Sequence, residues 1–105
     1  MVREKLPNRR PLETVKFQHG NFSYFASIGY EVHTGAVREV FLQTGKSGTE
    51  LEAMARDAAI LISLALQSGA LLDDMRNAIT RLDNGEAAGP VGRLLDLLNE
   101  APNDA

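Results

Sequence analysis

This 105-residue chain contains no cysteine and no tryptophan, and only four prolines. Without cysteine it has no disulfide scaffold, no zinc–thiolate or iron–sulfur site and no thiol redox chemistry. Aromatic residues are 6% of the chain, so aliphatic side chains must build the core. The longest apolar stretch, Ala58 to Leu66, is far short of the roughly 20 residues that span a bilayer, and no membrane partner is expected. Met1-Val2-Arg3-Glu4-Lys5-Leu6-Pro7 has no apolar run behind it, so no secretory signal is expected and a cytoplasmic location is. His19 and His33 have no neighbouring His or carboxylate at metal-ligand spacing, so no metal is expected. No Ser-His-Asp spacing suggests a hydrolase triad.

The charge is small but uneven. Residues 1–16 carry five Lys/Arg against two Glu, +3, so a net charge of −3 leaves −6 on the remainder. An acidic body argues against general nucleic-acid binding, which rests on phosphate neutralisation. The basic arm keeps open the reading of a nucleic-acid-associated regulator.

At this length the chain is one domain with room for its own core. Residues 1–13, with Pro7 and Pro11, read as a basic arm, 14–101 as a single domain and 102–105 as a frayed tail. Val15 to Gln18 suits a first strand, and His19-Gly20-Asn21 a turn. From Phe22 to Val32 the even positions Phe22, Tyr24, Ala26, Ile28, Tyr30 and Val32 alternate with Ser23, Ser27, Gly29 and Glu31, broken by Phe25. A period of two predicts a half-buried strand. Thr34-Gly35-Ala36 is a turn, and Val37 to Gln43 a third strand.

Helices follow. Thr49-Glu50-Leu51-Glu52 is a capping box, in which Thr49 accepts from the Glu52 amide and Glu52 reaches back. Leu51, Met54, Ala55, Ala58, Ile62 and Ala65 recur at helical spacing, and beyond Ala58 the helix is apolar nearly all round. That predicts a central core helix, ended by Ser68-Gly69. Ser63 within it is expected to bond a carbonyl one turn earlier. Leu72 to Leu82 is a second helix, opened by Asp73-Asp74 and stopped by Asn84-Gly85. Gly89-Pro90 opens a third, with Val91, Leu94, Leu95 and Leu98 on its apolar face. The order predicts an α+β fold: a small antiparallel three-stranded β-meander, then a central apolar helix and two further helices. Such a sheet exposes edges, and a homodimer is expected.

One turn has ligand-facing chemistry. Gly45-Lys46-Ser47-Gly48-Thr49 joins a strand to a helix N-terminus, where free amides and the helix dipole favour an anion. A Walker motif would need Gly at position 40, which is Val40. Lys46, Ser47, Gly48 and Thr49 are therefore the candidate anion- or nucleotide-binding residues, and no catalytic residue is assigned. Glu31, Arg38 and Glu39 suggest a polar patch on the open face of the sheet.

Glu39-Val40-Phe41-Leu42, then Gly45-Lys46-Ser47-Gly48, then Ala59-Ile60-Leu61-Ile62-Ser63-Leu64-Ala65-Leu66-Gln67-Ser68-Gly69 resembles the TSCPD domain family, and Gly89 to Asp96 resembles the end of its free-standing members. The family occurs at the C-terminus of adenosylcobalamin-dependent ribonucleotide reductases and as small bacterial proteins. The resemblance implies a non-catalytic accessory or interaction domain linked to deoxyribonucleotide supply, with a reductase subunit as partner. It brings cobalamin in only through the parent enzyme, with no cofactor in this chain. The family's name denotes a Thr-Ser-Cys-Pro-Asp signature, and its reductase-fused members end in cysteines. This chain has none, and ribonucleotide reduction proceeds through a thiyl radical, so this chain alone cannot carry out that reaction.

Overall fold

Alternation organises the first half of the molecule. A computed structural model describes residues 12–45 and 48–99. Strand β1 (Leu12–His19) turns at Gly20-Asn21 into β2 (Phe22–Tyr30), and a loop leads to β3 (Val37–Thr44). The three form an antiparallel sheet in the order β1-β2-β3. Phe17 stands opposite Tyr24, Val15 opposite Ala26, Ala26 opposite Leu42 and Ile28 opposite Val40. This register places every large apolar residue of one parity on one face. The Phe17 and Tyr24 rings stack there, 5.4 Å apart and 17° from parallel.

Helix α1 (Glu50–Gln67) covers that face chiefly along β3. Helix α2 (Leu72–Ala78) and helix α3 (Pro90–Asn99) complete the fold. One core joins Tyr24, Ile28, Val40 and Leu42 of the sheet to Ala55, Ala59, Ile62 and Leu66 of α1 and to Leu94, Leu95 and Leu98 of α3. The expected α+β meander followed by three helices is the observed architecture. Among the described residues no helix is long and apolar enough to cross a membrane.

Local chemistry sets the helix ends. Thr49 Oγ1 accepts from the Glu52 amide at 3.1 Å. The Glu52 carboxylate reaches back one residue further than a standard capping box, to the Gly48 amide at 3.0 Å. At the other end the Gly69 amide bonds the Leu66 carbonyl and the Ala70 amide bonds the Ala65 carbonyl. This is a Schellman closure, and Gly69 at φ 98° supplies the left-handed residue it requires.

Several expectations change. The first strand is longer than Val15–Gln18, and its start at Leu12 lies inside the stretch read as arm. The rest of the arm (residues 1–11) and the tail lie outside the described residues. Phe22 and Val32, read as inward-facing, are exposed. Val32 falls after the end of β2, so the alternation no longer governs it, and Phe22 sits at the strand's first position beside the turn. The second helix stops at Ala78 rather than Leu82. Ile79 is already extended, with ψ 154°. The chain then folds back through a bridge between Arg81 and Ala87, leaving Leu82 exposed.

The largest correction concerns α1. Its buried stripe is narrow, made by Ala55, Ala59, Ile62 and Leu66. Met54, Ile60, Leu61 and Leu64 are exposed, Leu61 at 66%. A three-stranded sheet is too small to surround a helix, so half of this apolar cylinder has no cover within the described chain.

Candidate functional site

The turn before α1 is only partly described. Lys46 and Ser47 lie outside the described residues. Gly48 and Thr49 stand at the helix N-terminus, where the Glu52 carboxylate already accepts from Gly48 and the Thr49 hydroxyl from Glu52. Glu50 and Glu52 place two acidic side chains in the first turn. These internal acceptors occupy part of the amide set that would receive an anion, and their charge opposes one.

The surface beside this turn is organised by α1. Ser63 does not bond its own helix one turn back, as expected from sequence. Its Oγ accepts from the Val40 amide at 2.9 Å and donates to the Val40 carbonyl at 3.0 Å. One turn later, Gln67 Nε2 donates to the Arg38 carbonyl at 3.1 Å. Positions i and i+4 share a helix face, so two polar side chains of an apolar helix cap the outer edge of β3. One turn earlier the corresponding residue is Ala59, which has no polar group. There the cap ends, and a shallow groove of about 180 Å³ opens between Leu42, Ala59, Arg56 and the exposed Phe41 and Ile60.

Of Glu31, Arg38 and Glu39, expected as a polar patch on the open face of the sheet, Glu31 falls outside the strands. Glu31 lies in the β2–β3 loop, where its carboxylate accepts from the His33 amide at 3.1 Å and the Thr34 amide at 2.8 Å. The Thr34 hydroxyl, then these amides, pull its pKa from 4.5 to about 2. Glu39 is 4% exposed and lies against Gly29, opposite it in the sheet. A Cβ at Gly29 would stand 2.5 Å from Glu39 Cγ. On β1, Glu13 accepts from the Tyr30 hydroxyl at 2.6 Å. Burial first, then this bond, raises the Tyr30 pKa.

A second polar centre has no counterpart in the sequence reading. Asp96 of α3 takes a bidentate pair from Arg81, at 2.8 and 2.9 Å, and a longer contact from Arg76 of α2 at 3.4 Å. Arg81 also donates to the Arg76 carbonyl, at the end of the shortened helix. The Arg81 bond holds the Asp96 carboxyl below its ordinary range. This knot closes one wall of a cleft of about 540 Å³, which His19, Leu82, Glu86 and Arg93 also line. The sequence signal was faint: Asp96 is one carboxylate within an amphipathic helix, and its partners lie 15 and 20 residues away. Asp73, expected to open α2, does so and pairs with Arg76 at 3.0 Å. Among the described residues no three His, Cys, Asp or Glu gather as a metal group.

Comparison with known proteins adds a context. The family model described as TSCPD domain matches residues 3–101. The chain is 37% identical over 89 residues to a vitamin B12-dependent ribonucleotide reductase of Bradyrhizobium diazoefficiens, covering 85% of this chain and 7% of that protein. It is 40% identical over 78 residues to the like-named protein of Agrobacterium fabrum, covering 74% of this chain and 6% of that one. The chain thus spans a small fraction of the length of these relatives. No solved structure matches.

Proposed function

Because this chain belongs to the TSCPD domain family, we propose that it is a non-catalytic interaction domain that docks on a B12-dependent ribonucleotide reductase and serves deoxyribonucleotide supply. The observation that carries the reading is the outer face of α1, where Ile60, Leu61 and Leu64 lie exposed beside Phe41 of β3. Contiguous exposed apolar surface marks contact sites in soluble proteins. The relatives support this choice of occupant: the matching segment is 6–7% of each long chain, so its neighbour there is the rest of the reductase. The lack of cysteine supports a role in docking rather than in radical chemistry. On this reading cobalamin belongs to that larger partner, since the relatives named for it are far longer chains.

The test is capture of purified B12-dependent reductase by the full chain. Wild type is expected to retain the reductase, and Leu61→Glu to lose it while keeping its fold. Failure of wild type to bind, with unchanged deoxynucleotide pools on deletion, overturns the reading. A doubled mass by light scattering, abolished by Leu61→Glu, with no reductase bound, assigns the face to a second copy and also overturns it.

A further inference from the structure

The cleft bounded by the β1–β2 turn, the 80–87 loop and the first turns of α3 has an uneven charge economy. It measures about 540 Å³, within the roughly 300–1,000 Å³ typical of small-molecule sites. Both of its carboxylates have internal partners. Asp96 is shared by Arg81 and Arg76, and Arg76 also pairs with Asp73, so the charges in that knot balance. Glu86 accepts from the Asn84 side-chain amide at 2.7 Å. By contrast, the Arg93 guanidinium and the His19 imidazole line the cleft without a hydrogen-bond or ion-pair partner among the described residues. Both are only partly exposed.

We propose that this cleft binds the phosphate group of a small organic phosphomonoester, with Arg93 and His19 as its donors. A guanidinium presents a planar fork matched to phosphate oxygens, and an imidazole N–H adds a donor from the β1–β2 hairpin. The remaining volume exceeds what a bare anion fills. Leu82 and Ala87 offer an apolar wall there for the ligand's body, which gives the exposed Leu82 a use. Glu86 is the adverse charge on the rim, because no arginine among the described residues matches it. The site is separate from the turn at Gly45–Thr49, where Glu52 already stands in the anion's position, and from the α1 face proposed for docking.

The test is an amide-resolved NMR titration of the full chain with inorganic phosphate, phenyl phosphate and acetate. Phenyl phosphate is expected to shift His19, Ala87 and Arg93 and to bind more tightly than phosphate, with acetate weakest. Arg93→Gln should weaken phenyl phosphate about tenfold, the scale of one charge-assisted hydrogen bond. Glu86→Gln should tighten it, which a site of opposite preference would not do. Equal affinity for phosphate and phenyl phosphate would support the anion site with the free ion as its ligand. No shifts around the cleft, binding indifferent to Arg93→Gln, or binding weakened by Glu86→Gln each overturn the proposal. Should Arg93→Gln disturb the spectrum as a whole, Arg93→Lys and Glu86→Gln carry the test.

Discussion

The Ser63 hydroxyl stands 2.9 Å from the Val40 amide nitrogen and 3.0 Å from the Val40 carbonyl oxygen, so one side chain satisfies both backbone groups of one residue. Val40 is almost wholly buried, and water cannot readily replace the hydroxyl. Ser63→Ala is expected to cost about 1–3 kcal/mol, the penalty for leaving buried polar groups unmet. Denaturant unfolding measures it. The midpoint should fall with little change in slope, since the folded and unfolded states keep their extents. A variant as stable as wild type would show that Ser63 only fills space.

Gly29 and Glu39 test the opposite face of the sheet. A methyl at position 29 would meet Glu39 Cγ at 2.5 Å and Oε2 at 2.7 Å. Glu39 is buried, so it has little freedom to yield. Gly29→Ala should destabilise by about 1–3 kcal/mol, as overpacking does. Glu39→Ala in the same chain should recover part of that loss in a double-mutant cycle, because both changes act at one contact. Additive losses would locate the strain elsewhere.

The acid limb of stability follows from Glu31 and Asp96. Glu31 is lowered from 4.5 to about 2 by bonds from Thr34 and His33. Asp96 is lowered by Arg81. A carboxyl whose folded pKa is depressed binds fewer protons folded than unfolded. Its contribution is therefore complete above the ordinary carboxylate range and is lost as pH falls through the folded value. For Glu31 that window runs from 4.5 down to about 2. Thermal melts across this range should show falling stability, with a shallower slope in Glu31→Gln. An unchanged slope would mean that the loop bonds do not distinguish the folded state.

Leu61 separates folding from recognition. At 66% exposure it adds little to the core, so Leu61→Glu should shift stability by no more than about 0.5 kcal/mol, as for ordinary surface changes. Association with a reductase or with a second copy should fall sharply. A large loss of stability would instead mean that the side chain is covered in the free protein.

The meander was legible because burial of one sheet face imposes a period of two, and Tyr24, Ala26 and Ile28 obey it. Helix starts and stops were legible where one residue carries the geometry, as Thr49 does at a cap and Gly69 at a left-handed end. The extent of α2 was not, because its end depends on Arg81 reaching the Arg76 carbonyl and Asp96 at once. Hydropathy likewise misjudged α1: an apolar helix reads as buried whether or not anything stands beside it.

By itself, then, the sequence determined the element order, the inward face of the sheet and the absence of thiol chemistry, because these follow from local periodicity, caps and composition. Tertiary structure alone decided that Ser63 and Gln67 close the edge of β3, that Asp96 gathers Arg76 and Arg81, and that α1 keeps an apolar side uncovered by the described residues. Each depends on distances between residues remote in the chain, set by how a small sheet and three helices share too little surface to bury everything apolar.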